Sequence, residues 1–400
     1  MTSTSRPGPL SGIRVLDLTA VFSGPIATAI LADQGAYVIK VEPLLGDTSR
    51  RVGPAKGDLS ASFIAANRGK RGIALDLKHA SAQPILQALV RWADVLAENF
   101  RPGTLDRFGL DRDTLARLNP RLVRLSITGF GPDGPRAAEP AYDAVIQALS
   151  GISASHRDKA TGQPSLLSTT ICDKLTALTA AQAVTAALLA RERDGRGRLV
   201  EVAMLDAAIA FQWVDAMYNH AFLDDVPQGI PDIGLTLKPY ATADGLVAVM
   251  GPQQSEFQAL CRALGHPEVS EDPRFSTQVQ RNRHPREARA TLEPLFAQMT
   301  TADLEAACRR EGAPLGRVHE RDAVMTDPQV QHNATVVTVD HGDVGRVRLA
   351  RPAARFDGAA LAPAGLAPHL GQHGREVLAE MGVEPDAIQA LLDAGVLQLP

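Results

Sequence analysis

Short apolar runs of strand length alternate with helical segments along the first half of the chain. Ile13–Leu18 and Tyr37–Glu42 are β-branched, apolar runs, and the small residues of Ile26–Gln34 lie between them with a helical pattern. A strand, a helix and a second strand in this order predict a βαβ unit. Ligand sites in such units lie at the carboxyl ends of the strands, which here are residues 19–23 and 43–51.

The alternation predicts one open α/β layer system over residues 1–222. Further strands are predicted at Gly72–Leu77, Asp94–Asn99, Leu122–Thr128 and Leu199–Met204, and further helices at Ser81–Trp92, Tyr142–Leu149, Lys174–Arg191 and Leu205–Phe222. Residues 223–239 are rich in Pro, Gly and Asp, which predicts a linker. A smaller α+β domain is predicted at 240–330, with an exposed turn at Asp327–Asn333. Residues 331–400 carry a hairpin pattern followed by two helices.

The composition is that of a folded, globular protein with room for two domains. Its 400 residues exceed the ~100 to 200 typical of one domain, and 45% of them are hydrophobic. A formal net charge of −4 argues against a nucleic-acid-binding protein. Cys172, Cys261 and Cys308 stand apart without a CxxC pair, which favours a reducing, cytoplasmic location. The N-terminus has no apolar signal core, and the uncharged run Leu175–Ala190 is too short to span a membrane, so we expect no export and no membrane partner.

Several common catalytic motifs do not fit this chain. Residues 129–134 read as GxGxxG after a strand, but Pro132 and Pro135 interrupt the motif and no helix is predicted at its last glycine. We therefore interpret it as a turn and not as a dinucleotide site. The sequence has no P-loop, HExxH or GxSxG motif. His369 and His373 have a ligand-like spacing without further ligands nearby, so no metal site is predicted.

A cationic run lies between the ends of predicted parallel strands. Its basic residues are Arg50, Arg51, Lys56, Arg68, Lys70, Arg71 and Lys78. Only Asp58 and Asp76 oppose them within the run. Such a run is either a solvated face or a site for a phosphate-bearing ligand, and the sequence pattern leaves both open.

Asp173 is the sharpest single candidate for chemistry. It precedes the long apolar helix, where an aspartate is most often an N-terminal cap. With an ordinary pKa of ~3.9 it is ionised at neutral pH, and it then attacks an activated acyl group without a separate general base. The residues alone leave the cap and the nucleophile as alternatives.

Seven blocks in order, spread over nearly the whole chain, resemble the class III CoA-transferases. This family includes formyl-CoA transferase, carnitine CoA-transferase and the related α-methylacyl-CoA racemase. The blocks are LSGIRVLDLTAVFSGP, LADQGAYVIKVE with Gly46-Asp47, NRGKRGIALDLK, ENFRPGTLDRFGL, GFGPDGP, PAYDAVIQALSG and TTICDK. The resemblance implies an α/β fold with a Rossmann-like large domain that residues 331–400 rejoin, a smaller α+β domain, and an interlaced homodimer.

The resemblance also implies a reaction and the residues that carry it. Asp173 matches the family's nucleophile, which takes CoA from an acyl-CoA through an aspartyl anhydride and an aspartyl-CoA thioester and passes it to a free carboxylic acid. Acyl-CoA and a small carboxylic acid are then the substrates, and no tightly bound cofactor is implied. The implied CoA contacts are Val21, Phe22, Ser23, Leu75, Lys78, Asn99, Phe100, Arg107, Tyr142 and Asp143, and the implied substrate loop contains Gly229 and Gly234.

Three departures from the family pattern bear on specificity. Formyl-CoA transferase has a glutamine and an arginine where this chain has Phe22 and Pro43. Its glycine run over the active site is sparser here, which argues against formyl and oxalate specificity. In the racemase a histidine stands at Tyr142, and a phenol that ionises only near pH ~10 is a poor base at neutral pH. Acyl-CoA racemisation by α-proton transfer is therefore the alternative function and not the first.

Overall fold

The computed structural model describes residues 8–158, 161–224 and 237–400. They divide into two compact units. The larger unit runs to Phe211 and resumes at Gln331, and the smaller unit is Gln212–Val330. The domain limits at residues 222, 239 and 330 stay a prediction, because most of the proposed linker 223–239 lies outside the described residues.

The larger unit begins with alternating strands and helices. In chain order these are β1 Arg14–Asp17, α1 Ser23–Asp33, β2 Tyr37–Glu42, β3 Ala55–Lys56, β4 Leu59–Ser60, α2 Ala61–Asn67, β5 Lys70–Leu75, α3 Gln83–Trp92, β6 Val95–Glu98, α4 Thr104–Arg107, α5 Arg112–Leu118, β7 Val123–Thr128, α6 Asp143–Ser150, α7 Ile152–Ser155, α8 Ile171–Asp194, β8 Arg198–Ala203 and α9 Met204–Gln212. The predicted βαβ opening is confirmed.

The smaller unit is mixed in content and has its own core. Its elements are β9 Tyr240–Ala241, β10 Leu246–Val249, α10 Gln254–Ala263, α11 Gln278–Arg283, α12 Pro285–Ala297, α13 Thr301–Glu311, β11 Leu315–Arg317 and, at its end, α14 Pro328–His332. Strand β10 pairs antiparallel with both β9 and β11. Phe257, Phe275 and Phe296 are among its buried side chains.

The C-terminal segment packs back onto the larger unit. It contains β12 Val336–Asp340, β13 Arg346–Ala350, β14 Arg355–Phe356, β15 Ala359–Ala360, α15 Gly374–Glu380, α16 Pro385–Asp393 and β16 Leu397–Gln398. Strand β16 pairs antiparallel with β5, with Leu397 opposite Leu75. Charged contacts add to this attachment, since Arg50 donates to the carbonyl of Pro368 at 3.1 Å and His369 bonds to Asp58 at 2.6 Å.

The main sheet has seven strands in the order β16-β5-β2-β1-β6-β7-β8, and all except β16 run parallel. The parallel strands follow the order 3-2-1-4-5-6 of Rossmann sheets. The chain builds outward from β1 in one direction and then restarts at β6 on its other side. The switch in direction therefore falls between β1 and β6, and an open α/β sheet has a crevice at the carboxyl ends of these two strands.

Helices cover both faces of this sheet, so its strands are apolar on both sides. On one face Val15, Val95 and Val123 pack with the alanine-rich helices α1 and α8. On the other face Leu16 and Leu96 pack with α3, α15 and α16. Asp17 and Lys40 are fully buried within these apolar strands.

Three predictions for the elements were wrong. The helix expected at Leu205–Phe222 ends at Gln212, because the aromatic and apolar residues beyond it, such as Trp213 and Val214, are exposed and give no packing that would extend the helix. The exposed turn expected at Asp327–Asn333 contains the short helix α14. The long helix begins at Ile171, three residues earlier than expected, which changes the position of Asp173.

The remaining sequence features have simple structural outcomes. Cys172, Cys261 and Cys308 are free and buried. His369 bonds to Asp58 whereas His373 accepts from the backbone N–H of Gly72, so the two histidines have separate partners. No helix among the described residues is long and apolar enough to cross a membrane.

Candidate active site

A cavity of about 250 Å³ lies at the carboxyl ends of β1, β6 and β7, where the strand order switches direction. Ala20 and Val21 follow β1, Asn99 and Phe100 follow β6, and Thr128 ends β7. The lining is completed by Ser23, Arg101, Pro102, Ile127, Gly129, Ala137, Glu139, Pro140, Ala141, Tyr142, Asp173 and Met204. The sequence placed a ligand site at the end of β1, and the structure has its cavity there.

Asp173 reaches this cavity from the first turn of α8. The helix begins at Ile171 with Thr170 as its N-cap residue, and Thr170 makes no side-chain capping bond. Asp173 is therefore not the cap that its sequence position favoured. Asp173 is only 7% exposed, yet it lines the cavity. A carboxylate at this place is buried and still open to a ligand.

A second carboxylate, Asp143, lies directly beside Asp173. The backbone N–H of Asp173 donates to Oδ2 of Asp143 at 3.0 Å. Oδ1 of Asp143 accepts from Nε2 of Gln147 at 2.6 Å, and the same Nε2 donates to the carbonyl of Thr169 at 3.1 Å. Gln147 thus ties helix α6 to the residues that lead into α8. No sequence pattern indicated a role for Gln147, which lies inside the PAYDAVIQALSG block but carries no motif of its own.

Burial and, next in size, the nearby charge of Asp143 together raise the pKa of the Asp173 carboxyl from 3.8 to about 7. Lys174 and a hydrogen bond from the backbone N–H of Ser23 act in the opposite direction but do not balance these effects. The N-terminal end of α8 also favours a negative charge, yet this effect is worth only ~0.3 to 1 kcal/mol. The ordinary pKa assumed from the sequence was therefore wrong, and Asp173 titrates near neutral pH.

The loop after β1 is fixed by side chains from neighbouring strand ends. The backbone N–H of Ala20 donates to Oδ1 of Asn99 at 2.9 Å, and Nδ2 of Asn99 donates back to the carbonyl of Ala20 at 2.8 Å. The N–H of Val21 donates to Oδ1 of Asp47 at 3.0 Å. These contacts hold the loop that leads to Ser23 and Asp173.

The structure brings some of the proposed CoA contacts together and leaves others apart. Val21, Ser23, Asn99, Phe100 and Tyr142 line the cavity with Asp173. The other proposed contacts lie outside its lining, and they are Phe22, Leu75, Lys78, Arg107 and Asp143. Leu75 is fully buried in the core. Gly229 and Gly234 lie outside the described residues.

The cationic run is mostly paired within the protein and is not a free phosphate site. Arg50 binds Glu42 and Asp58, Lys70 binds Asp17, Arg68 binds Asp33, and Arg71 contacts Glu376. Glu42, Asp17, Asp33 and Glu376 lie outside the run in sequence, which is why the run looked unbalanced. Lys78 is exposed at its end.

The GxGxxG sequence forms a turn, as expected. No helix starts at Gly134, and the next helix along the chain is α6 at Asp143. Gly129 is a place of close approach, because a Cβ there would lie 2.3 Å from the Cβ of Ala141. The turn thus helps to form the cavity wall.

The fold and the cavity define an α/β protein with a buried, titratable carboxylate at the topological switch point of a Rossmann-ordered sheet. A model of the family described as CoA-transferase family III matches residues 10–374. The chain belongs to this family, and it is an enzyme of the class III CoA-transferases.

Named relatives and a solved structure match between 79% and 94% of the chain. A succinate–glutarate CoA-transferase from Agrobacterium fabrum is 35% identical over 94% of this chain and 96% of its own length. An acetyl-CoA:oxalate CoA-transferase from Acetobacter aceti is 37% identical over 79% of this chain and 82% of its own length. The crystal structure of Rv3272 from Mycobacterium tuberculosis is 32% identical, covers 93% of this chain and 100% of its own, and superposes with a TM-score of 0.82.

Proposed function

We propose that this enzyme moves CoA from an acyl-CoA to a free carboxylic acid through covalent intermediates on Asp173. The observation that carries the proposal is the Asp173 carboxyl, which is buried, lines the cavity at the switch point and has its pKa raised to about 7. A carboxylate of raised basicity is a stronger nucleophile than an ordinary one, and at neutral pH much of it is still ionised.

The proposed reaction has two halves that mirror each other. The Asp173 carboxylate attacks the thioester carbonyl, the C–S bond breaks, and CoA leaves as a thiolate with a mixed anhydride on Asp173. The bound thiolate then attacks the aspartyl carbonyl and expels the donor acid as a carboxylate. The acceptor carboxylate attacks the resulting aspartyl-CoA thioester, and the released thiolate attacks the acyl carbonyl of the new anhydride. The products are the new acyl-CoA and the free Asp173 carboxylate.

The relatives support a small carboxylic acid as the acceptor. One is named for succinate and glutarate, and another for oxalate. We therefore choose succinyl-CoA and acetyl-CoA as donors and glutarate and oxalate as acceptors for a first panel, read by mass spectrometry of the CoA products. Formation of a new acyl-CoA supports the proposal. A 2-methylacyl-CoA incubated with the same acids in D₂O tests the racemase alternative, which requires deuterium at its α-carbon without transfer to any acid.

We also propose that Lys78 and Arg107 bind the phosphates of CoA. Both side chains are exposed, and Arg107 ends the short helix α4 that follows β6. Its Nη2 donates to Oγ1 of Thr104 at 2.9 Å, which leaves other guanidinium N–H groups for a ligand. Exposed basic side chains after two strands of the sheet suit a ligand with a pyrophosphate and a ribose phosphate.

Replacing Lys78 or Arg107 by Ala is expected to raise the KM for acyl-CoA about 10-fold with little change in kcat. A phosphate contact is made equally in the ground state and the transition state, so its loss weakens binding uniformly. Arg117→Ala is the matched control, because Arg117 is also exposed and donates to Thr114 at 2.9 Å as Arg107 does to Thr104. Steady-state kinetics that show the same KM for all three variants contradict this assignment.

A homodimer is part of the proposed function. The larger unit exposes several large apolar side chains, which are Val145, Leu149, Leu178, Leu189, Leu199 and Phe211. Val145 and Leu149 lie one turn apart on α6, and neighbouring exposed apolar residues of this kind mark a surface that another chain covers. Sedimentation at micromolar concentration tests this, and a monomer at all concentrations contradicts it.

A further inference from the structure

Val21 has a backbone conformation that valine rarely adopts. Its φ is +69°, in the left-handed region that glycine normally occupies. A β-branched side chain there costs on the order of 1 to 3 kcal/mol and persists only where neighbouring groups impose it. Val21 lines the active-site cavity and lies two residues before Ser23, whose N–H bonds to Asp173.

Asp47 binds the backbone of Val21 directly. Its Oδ1 accepts the N–H of Val21 at 3.0 Å and the N–H of Ser49 at 2.9 Å. Its Oδ2 lies 3.0 Å from Nζ of Lys40. Nζ of Lys40 also donates to the carbonyl of Thr19 at 2.8 Å, so one ion pair holds both ends of the loop 19–21.

A contribution to the stability of the fold is not enough to explain this ion pair. Lys40 is completely buried and Asp47 is 3% exposed. A buried ion pair must offset the cost of removing two charges from water, and it is weak evidence of a contribution to stability. Here the ion pair binds a strained residue, Val21, at the edge of the active-site cavity. Strained backbone conformations of this kind cluster at functional sites.

We propose that the Asp47 carboxylate, fixed by Lys40, is a positioning residue for the transfer reaction and acts through Val21. By holding Val21 in its left-handed conformation it keeps the N–H of Ser23 directed at the Asp173 carboxylate and keeps the cavity wall in place. The inference rests on the proposed role of Asp173 as nucleophile. Asp47 itself does not line the cavity.

Asp47→Ala is expected to lower kcat about 100-fold, because a misplacement of ~1 Å at a reacting group costs about this much. The apparent pKa of Asp173 in the pH profile of kcat/KM should rise, since the Ser23 N–H no longer stabilises the charged form. A purely electrostatic effect has the opposite sign. Removing the negative charge of Asp47 leaves Lys40 unpaired, and the added positive field lowers the pKa of Asp173.

Val21→Gly in the Asp47→Ala background is expected to restore kcat about 10-fold, because glycine adopts a positive φ without strain.

Asp33→Ala is the matched control for Asp47→Ala. Asp33 is also a buried aspartate paired with a base, Arg68, and it ends the helix α1 that Ser23 begins. It should lower the melting temperature as Asp47→Ala does but leave kcat within about 3-fold and the pH profile unchanged.

Three results would each overturn the inference. Folded Asp47→Ala has the kcat and pH profile of the parent, Asp33→Ala loses as much kcat as Asp47→Ala, or Val21→Gly restores no kcat.

If Asp47→Ala does not fold, Asp47→Asn is used for the test. The neutral amide lacks the charge that pairs with Lys40, so kcat should fall about 10-fold with the same upward pKa shift, and parental kinetics would contradict the inference. Labelling of Asp173 from an ¹⁸O-labelled acid in the parent enzyme separates the two proposals. If Asp173 is not labelled, it is not the nucleophile and the proposed function fails. If Asp173 is labelled but Asp47→Ala has parental kinetics, only the role of Asp47 is excluded.

Discussion

Asp173→Ala is expected to lower kcat for CoA transfer by at least about 1,000-fold, the scale on which removal of a covalent nucleophile acts. The carboxylate forms the proposed intermediate, and no other side chain of the cavity lies in its place. Affinity for CoA, measured by calorimetry, should stay within about 3-fold of the parent because the proposed CoA contacts are made by other residues. Loss of activity with intact CoA binding is the result that supports a chemical role.

Asp194→Ala is the control for the helix itself. Asp194 ends the same helix α8 and pairs with Arg198 at the surface. Its loss should leave kcat near the parental value, since exposed ion pairs contribute little to stability. Substantial turnover by folded Asp173→Ala removes Asp173 from the nucleophile role.

Asp173→Asn is expected to make the protein more stable at pH 8 than the parent. In the folded parent the carboxyl has its pKa raised from 3.8 to about 7. The folded state therefore binds a proton that the unfolded state has released between these two pH values, and stability falls as pH rises through this window. An asparagine has no charge to bury, so it escapes this loss.

The expected gain at pH 8 is about 2 kcal/mol, against an upper limit of about 4 kcal/mol from ~1.36 kcal/mol per pKa unit. Urea unfolding of the two proteins at fixed concentration and at several pH values measures it. The curves should converge near pH 3.5 and separate as pH rises to 8. A difference that does not depend on pH contradicts the raised pKa of Asp173.

The sequence predicted the elements of the sheet well because their signals are local. Ile13–Leu18, Tyr37–Glu42 and the helix between them carry apolar patterns of the right period and length. The same patterns do not reveal that Gln212 ends a helix, since the aromatic residues beyond it lack packing that only the tertiary structure reveals.

The sequence indicated several residues that line the cavity but not the electrostatics of the site. Ordered motif blocks pointed to Asp173, Asn99 and Tyr142, which the structure brings to one cavity. The raised pKa of Asp173 depends on burial and on Asp143, which lies 30 positions away in sequence. Pairing of the cationic run depends on carboxylates that are in part much farther away, such as Glu376, which lies 305 positions from Arg71. Contacts between residues so far apart in sequence are set by the fold and cannot be predicted from local spacing.

The central claim is that Asp173 is covalently joined to the acyl group during each transfer. Turnover with an acceptor acid labelled in its carboxylate with ¹⁸O tests it most directly. The acid oxygen that attacks the aspartyl-CoA thioester becomes the bridging oxygen of the anhydride, and it stays on Asp173 when the thiolate attacks the acyl carbonyl. Peptide mass spectrometry should find ¹⁸O in the Asp173 side chain after turnover, and none in Asp143. Rapid transfer of CoA to the labelled acid with no ¹⁸O in Asp173 contradicts the account.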